Sequence, residues 1–532
     1  MNNAVDKKWW TLLAVCTGIF MLLLDVTIVV VALPNIQRSL HASFDEVQWV
    51  VDAYALSLAA LLLTTGALAD RYGRRRLFLI GLVIFTLGSV TCGVAQSPLM
   101  LVVARAGQGV GGAIMFATSL ALLAHAFRGK DRGVAFGVWG AVTGIAVSVG
   151  PIVGGAITSG FTWRGIFLLN VPIGVVAMAA TLWRVEESRQ EHPGRPDWAG
   201  FVLLTAGLVG LVYGLTEAGE IGWGSTRVVA SIAIGVAVLA CFALAERRSA
   251  NPMFDLALFR IPTFSGGLLA AFTMNGSLFA MNLYIVLYLQ DVLGYSALGA
   301  GMRLLVSTGG QFVAATVAGR LSERVPVRWL MAPGLALVAA GLWLMTGLSG
   351  TSSWQHLLAG LVVSGIGAGM VNPPLASTAV GVVRPQRAGM ASGVNSTFRQ
   401  VGFATAIAAL GSLFATSLQN DLTSKLSRVP ALAGHADRAV TLVRQGNVGE
   451  AVRAVPPHLR GQLAGAIRSS FTGGLDELFV IAGALAAVGA VGTALLVRGK
   501  DFLPRAEEAS PAGRGTEEPW EDQPEQPEAA RR

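Results

Sequence analysis

Apolar runs of about 20 residues, the length that crosses a ~30 Å hydrocarbon layer as a helix, recur from the N-terminus almost to the end of the chain. Short polar segments separate them. Read at that length, the pattern predicts about fourteen spans. They begin near Trp9, Gln48, Leu77, Leu99, Gly133, Trp163, Trp198, Arg227, Pro262, Ala297, Val327, Trp354, Gly389 and Leu475. The expected class is all-α and polytopic. The first run is too long for a signal-peptide core and lacks a small-residue cleavage pattern after it, so it is expected to stay as a span.

The polar segments set the topology. One alternate set holds Lys7 and Lys8, then Arg71, Arg74, Arg75 and Arg76, then Arg128, Lys130 and Arg132. It continues with Arg184, Arg189, Arg195, Arg247, Arg248, Arg260, Arg320, Arg324, Arg328, Arg384, Arg387, Arg498 and Lys500. The opposite set has mainly Arg38, Arg164 and Arg227. This asymmetry predicts a multi-pass plasma (inner) membrane protein with both termini, starting with residues 1–8, in the cytoplasm, which requires an even number of spans. Residues 417–474 interrupt the rhythm. They read as a solvated extracytoplasmic loop with amphipathic helical pieces around His435–Gln445 and Pro457–Phe471, a cap over the exit being the alternative. From 504 to 532 the Pro-, Glu- and Arg-rich tail should be disordered in the cytoplasm.

Composition narrows the class. Of 532 residues, 53% are hydrophobic and 13% charged, about half the charge of a soluble domain. The solvent implied is lipid. The net charge of +8 sits in short loops, so it reads as topology and not as a nucleic-acid surface. Cys16, Cys92 and Cys241 lie in apolar runs, which argues against disulfides or a thiolate metal site. No Gly-x-x-x-x-Gly-Lys-Ser/Thr loop is present, and the six histidines are scattered. No enzyme activity, cofactor or metal is expected.

A weak internal repeat divides the chain. Gly66-Ala67-Leu68-Ala69-Asp70-Arg71 echoes Gly319-Arg320-Leu321-Ser322-Glu323-Arg324, and Gln108-Gly109-Val110-Gly111 echoes Gly365-Ile366-Gly367-Ala368-Gly369. The repeats suggest six-helix halves at 9–185 and 262–497, with cargo held between them near the midplane. The two spans in 198–245 have no counterpart and look inserted.

Several residues suggest chemistry. In Gly66-Ala-Leu-Ala-Asp70-Arg71-Tyr-Gly73-Arg74-Arg75-Arg76, the glycines permit close helix approach and a tight turn. Asp70 can sit at a neighbouring helix N-terminus while the arginines hold the cytoplasmic side. Together they make a latch that forms in one state and breaks in another; a plain topogenic loop is the simpler reading. Arg105, inside the fourth span, costs at least ~2.5–3.5 kcal/mol there and needs a partner, a water cavity or a function, a structural ion pair being one answer. In the fifth span, Gly137, Ala146, Gly150, Gly154 and Gly155 offer a small-residue packing face, and Pro151 loosens the backbone ladder. Two acids are embedded, Asp25 well inside span one and Asp52 near the outer end of span two. Burial disfavours the charged form of a carboxyl group, so each can exchange a proton and attract a cation. A structural hydrogen bond for Asp25 and a wet rim position for Asp52 are the alternatives.

These motifs resemble the major facilitator superfamily. Residues 66–76 match, position for position, its loop between the second and third helices. Arg105-Ala-Gly-Gln108-Gly109-Val-Gly111-Gly112 is similar to its fourth-helix motif, whose arginine is linked to proton movement. The fifth span resembles the antiporter signature of its exporters, with Ala146 where glycine is usual. Leu24-Asp25-Val-Thr27 through Pro34, Trp163-Arg164-Gly165-Ile166-Phe167 through Gly174, and Asn395-Ser-Thr-Phe-Arg399-Gln400-Val-Gly402 resemble stretches of the fourteen-helix drug:proton antiporter group. The resemblance covers nearly all of the chain except the tail. It implies two six-helix bundles plus two inserted helices, working as a monomer surrounded by lipid. It also implies proton-coupled export of lipophilic drugs or antibiotics by alternating access, with Asp25, Asp52 and Arg105 coupling protons. Some exporters of lipophilic cations in that group have an acid at the Asp52 position, so Asp52 hints at cationic cargo. Tyr54, Phe116, Trp139, Phe272, Asn275, Phe279, Asn282, Tyr284 and Gln311 fall on spans that usually line the cavity. Export of one endogenous metabolite or lipid, and a non-transporting sensor or channel, are the competing readings.

Overall fold

The computed structural model describes residues 2–127, 130–189, 197–249, 256–322, 324–383, 388–429, 432, 436–444 and 448–502. The expected disordered tail lies outside them. In chain order the helices are α1 (Asn2–Leu40), α2 (Phe44–Tyr72), α3 (Arg74–Gly93), α4 (Pro98–Ala126), α5 (Lys130–Gly160) and α6 (Arg164–Arg184). There follow α7 (Trp198–Ile221), α8 (Thr226–Arg248), α9 (Pro262–Val292), α10 (Ala297–Leu321), α11 (Arg328–Leu344), α12 (Gln355–Gly381) and α13 (Ala388–Ser427). Two short outer helices, α14 (Ala436–Arg444) and α15 (Val448–Arg453), precede α16 (Arg460–Leu496). No strand occurs among the described residues. The long helices α1 to α13 and α16 are consistent with the expected fourteen spans; by length and apolar character ten of the described helices qualify as membrane crossings, and a bent pair in α5 makes eleven.

Local chemistry sets the helix ends. Ser43 and Glu46 form a reciprocal capping box at the start of α2, satisfying two backbone donors that the first turn leaves free. Ser97, Asp197 and Ser296 cap α4, α7 and α10 in the same sense. Inside α5 the helix turns by 40° between Val147 and Val149. Pro151 lacks the N–H that would bond the Val147 carbonyl, and a kink beside it is the expected result.

The expected repeat is visible as packing. In the N-terminal half α2 and α3 lie along α4, and α1 lies against α5 and α6. In the other half α10 and α11 lie along α12, and α9 and α11 against α16. Corresponding glycines bring corresponding helices together. A Cβ at Gly111 would stand 2.8 Å from the Gly81 carbonyl oxygen, and one at Gly367 2.5 Å from that of Gly334. The halves meet along α2 with α13 and α5 with α10. The inserted α7–α8 hairpin packs on α13 and α2. Only 17% of the apolar stretch of α8 is buried, which puts this helix on the periphery, where apolar side chains suit lipid.

The outer segment differs from the solvated loop expected. Residues 417–427 continue α13 and 460–474 belong to α16, so both helices run past the bilayer; α13 alone has a length of about 60 Å. Leu422, Leu426, Leu432, Ala451, Val455, Leu459 and Leu463 are buried in a cluster continuous with the core of the C-terminal half. Apolar residues four apart face each other across the two extensions, and that burial outweighs solvation. The segment is a packed cap. His435 lies outside the described residues, and the helix expected there is Ala436–Arg444.

Candidate functional site

Asp25 and Arg105 meet in the interior of the N-terminal half, 0% and 1% exposed. An Arg105 guanidinium nitrogen donates to an Asp25 oxygen at 2.5 Å. The other Asp25 oxygen accepts from the Gln108 amide at 3.0 Å and from the Asn170 amide at 2.8 Å. Ser89 accepts from both amides, at 2.7 and 3.2 Å. Arg105 also donates to the Gln108 side-chain oxygen at 2.7 Å and to the Val50 carbonyl at 3.2 Å. Tyr54 lies against the guanidinium, 4.2 Å from its ring centroid. One carboxylate therefore joins α1, α3, α4 and α6 into a closed polar network, with α2 holding the arginine. Sequence reasoning singled out Asp25 and Arg105 and missed Ser89, Gln108 and Asn170 as partners. The three-residue spacing of Arg105 and Gln108, which puts both on one helix face, was the available signal.

Asp52 is different. It is 0% exposed, not wet at a rim, and among the described residues neither carboxylate oxygen has a hydrogen-bond partner. On α2, Phe44, Gln48 and Asp52 follow at intervals of one turn, along the face that meets the other half. Phe44 packs on Tyr284 and Phe414, with ring centroids 6.2 and 5.7 Å apart. Gln48 rests on Gly411 of α13, where a Cβ would overlap its amide. Further ties cross at the same end: Gln290 donates to the Val31 carbonyl at 2.7 Å, and the Leu298 amide donates to Ser159 at 3.0 Å. Above them, under the cap, lies a cavity of about 490 Å³ lined by Phe44, Asp45, Asp291, Phe414, Arg468 and Phe471, among others. The halves are thus closed at the end far from the N-terminus.

Toward the other end, α9 shows a stripe of half-exposed residues, Phe272, Asn275, Phe279 and Asn282, between buried neighbours. Their spacing of three and four marks one helix face. Asn275 to Phe279 form a π-helical turn, a distortion often found at functional sites. Phe116 and Trp139, also half-exposed, pair edge to face at 6.1 Å. The Trp139 indole nitrogen has no acceptor. Gln311 is half-buried, its backbone against Gly369 of α12. Tyr54 and Tyr284 are buried instead, the first over Arg105 and the second donating to the Ile407 carbonyl at 2.9 Å.

In the 66–76 segment, Gly73 has φ 111°, a conformation that favours glycine. A Cβ there would stand 2.7 Å from the Glu187 carboxylate. Glu187 accepts from the Arg75 and Arg76 amides at 3.0 and 3.2 Å. It caps the N-terminus of α3, where a negative charge is favoured. The Arg75 guanidinium donates to the Leu182 carbonyl and the Arg74 amide to the Ser188 carbonyl. Glu187, from the segment after α6, is a partner that the sequence did not point to. The Asp70 side chain lies outside the described side chains. A side chain at Gly66 would meet open space, so the close approach expected there is absent from this conformation. Arg71 lies near Tyr72.

The small residues of α5 are contact points. A Cβ at Gly150 would overlap the Thr27 hydroxyl, and one at Gly154 would stand 2.9 Å from the Ile28 carbonyl oxygen of α1. One at Gly155 would stand 2.6 Å from the Ala297 carbonyl oxygen of α10, and the Pro151 carbonyl abuts Gly301. Ala146 is fully buried. The Gly137 position is helical, with its surroundings outside the description.

The chain is 38% identical over 419 residues to the multidrug resistance protein Stp of Mycobacterium tuberculosis (strain CDC 1551 / Oshkosh), covering 79% of this chain and 78% of that one. It is 35% identical over 521 residues to the tetracenomycin C resistance and export protein of Streptomyces glaucescens, covering 96% of each. Its fold is shared with a bacterial homologue of the human lysosomal transporter Spinster in an inward-facing, occupied conformation. That match has a TM-score of 0.63 and 18% identity, covering 93% of this chain and 98% of that one. The family model of the Major Facilitator Superfamily matches residues 15–407, and with two half-bundles meeting on α2, α13, α5 and α10, the chain belongs to that superfamily of multi-pass membrane transporters.

Proposed function

We propose that the chain is a proton-coupled exporter of lipophilic drugs or antibiotics, working as a monomer by alternating access in the plasma membrane with both termini cytoplasmic. Relatives named for resistance and export cover most of its length, and its Lys and Arg asymmetry supports the orientation. One observation carries the coupling: two buried carboxyl groups in opposite circumstances, Asp25 with three donors and Asp52 with none.

Asp25 is compensated by Arg105. Neutralising it alone would leave a buried guanidinium unpaired, which costs several kcal/mol, so a proton reaches Asp25 only as Arg105 finds water or another anion. Asp52 sits in the outer seam, where no cation or donor compensates a charge. The seam closes over a neutral Asp52; when the outer ends of α2 and α13 part, water reaches the carboxyl group and its proton can exchange. Closure thereby becomes conditional on a proton taken from outside. The glycine contacts of α5 with α1 and α10 let the halves rock on a close-packed hinge, and the stripe on α9 offers lipophilic cargo aromatic and amide contacts.

The test is efflux of ethidium from proteoliposomes of the purified chain under an imposed pH gradient. Wild type should concentrate the dye, while Asp25→Asn should lose concentrative movement. Undiminished accumulation by Asp25→Asn, or by wild type with every proton gradient collapsed, refutes the coupling.

A further inference from the structure

The C-terminal half carries an intramembrane arginine of its own without the partner that Arg105 has. Arg399 lies on α13, about 16 Å from the helix's inner end, near the middle of a ~30 Å hydrocarbon layer. It donates to the side-chain oxygens of Asn395, one turn back, at 3.3 Å and of Asn372 on α12 at 3.1 Å. Among the described residues no carboxylate pairs with it; both partners are neutral amides. A guanidinium has five N–H donors, and these two bonds leave the rest of its fork free.

Arg399 is half-exposed although α13 is enclosed by α2, α7, α9, α12 and α16. Beside it, Pro373 and Pro374 interrupt α12 just after Asn372, removing the donors that would bond the Gly369 and Met370 carbonyls. The polar patch is therefore held in place by two amides from different helices and carries one uncompensated positive charge. A cation in low dielectric is costly until an anion joins it, and the planar fork of arginine fits a carboxylate with two parallel hydrogen bonds.

We propose that Arg399, positioned by Asn372 and Asn395, recognises a carboxylate on the exported lipophile, whose apolar body lies along the Phe272–Phe279 stripe of α9. This deepens the export reading above and rests on it. Asp25 and Arg105 neutralise each other in the opposite half and do not compete for the acid.

The experiment measures binding and transport separately. Purified full-length chain is titrated in detergent with 7-(diethylamino)coumarin-3-carboxylic acid, with its ethyl ester and with ethidium, for wild type, Arg399→Gln and Arg399→Lys. Wild type should bind the acid more tightly than the ester. Arg399→Gln should weaken the acid about 10- to 100-fold, the worth of a charge-assisted hydrogen bond, and leave the ester and ethidium unchanged. Arg399→Lys should keep part of the preference. Retained ethidium binding shows that the variants fold. Equal affinity of wild type for acid and ester, unchanged acid binding by Arg399→Gln, or parallel loss of all three ligands overturns the proposal. Proteoliposome efflux of the same probes addresses export independently: acid preference without gradient-driven movement leaves the site standing and removes the exporter.

Discussion

The two embedded carboxyl groups should respond in opposite ways to one conservative substitution. Asp25→Asn keeps the shape of the side chain and removes its charge, leaving Arg105, 1% exposed, with neutral acceptors only: the new amide's oxygen, the Gln108 oxygen and the Val50 carbonyl. Breaking a buried pair from one side costs about 3–5 kcal/mol, a shift of roughly two to three and a half orders of magnitude in the folding equilibrium. The Gln108 and Asn170 amides lose part of their shared acceptor as well. In the proposed mechanism the closed seam holds Asp52 neutral, so Asp52→Asn exchanges one uncharged group without a partner among the described residues for another, and its cost should stay within about 1 kcal/mol. Thermal unfolding of the purified variants in one detergent, followed by loss of the monodisperse peak, should rank wild type and Asp52→Asn together and Asp25→Asn well below. Adding Arg105→Gln to Asp25→Asn should recover most of the lost stability, because the orphaned charge is gone, without recovering concentrative transport. Equal stability of the two single variants would refute this account of the charges, as would a double variant less stable than Asp25→Asn alone.

Other outcomes follow from the same geometry. Gly150→Ala should cost about 1–3 kcal/mol by overpacking and reduce efflux, and adding Thr27→Ala should restore much of both, since the Thr27 hydroxyl is what the new methyl meets; thermal stability and dye efflux of the three variants check this. Glu187→Gln should cost about 0.5–2 kcal/mol at the α3 cap and slow transport without changing ligand affinity, measured by binding in detergent against efflux in vesicles. At fixed pH, exchange of one proton for one monovalent cation moves no net charge, leaving the pH gradient with ~1.4 kcal/mol per unit. One proton exchanged for a carboxylate cargo moves two charges, worth about 4.6 kcal/mol per 100 mV. Efflux of the coumarin acid should therefore rise with an imposed potential far more steeply than that of ethidium, and equal responses contradict the assumed stoichiometry.

Much of the helical layout was legible because lipid imposes one rule: a run of sufficient length must be a helix, and the residues 66–76 and 137–155 name their own neighbourhood. Gly73 and Pro151 also disclose backbone geometry, since positive φ and a missing N–H are properties of those residues themselves. What the sequence withheld was partnership. Nothing in the chain says that Asn170 reaches Asp25, 145 positions away, or that Glu187 turns back to cap α3. For Asp52 a place near a span end left a wet rim position open as the alternative, and its burial shows only once Phe44, on the same helix face, packs on Tyr284 and Phe414. The cap stood only as the alternative for a similar reason: its polar residues advertise solvent, while the leucines that bury it count only once α13 and α16 stand side by side.

Because the described residues of the cap grow out of α13 and α16, both members of the same half, they are continuous with that half. In the proposed alternating-access cycle, a tilt of that half about the midplane would be carried up two long helices into the cap, so a small angular stroke in the bilayer would become a larger sweep at the cap. A reagent that clamps the cap to the neighbouring end of α1 or α2 would therefore act as a brake on the proposed cycle.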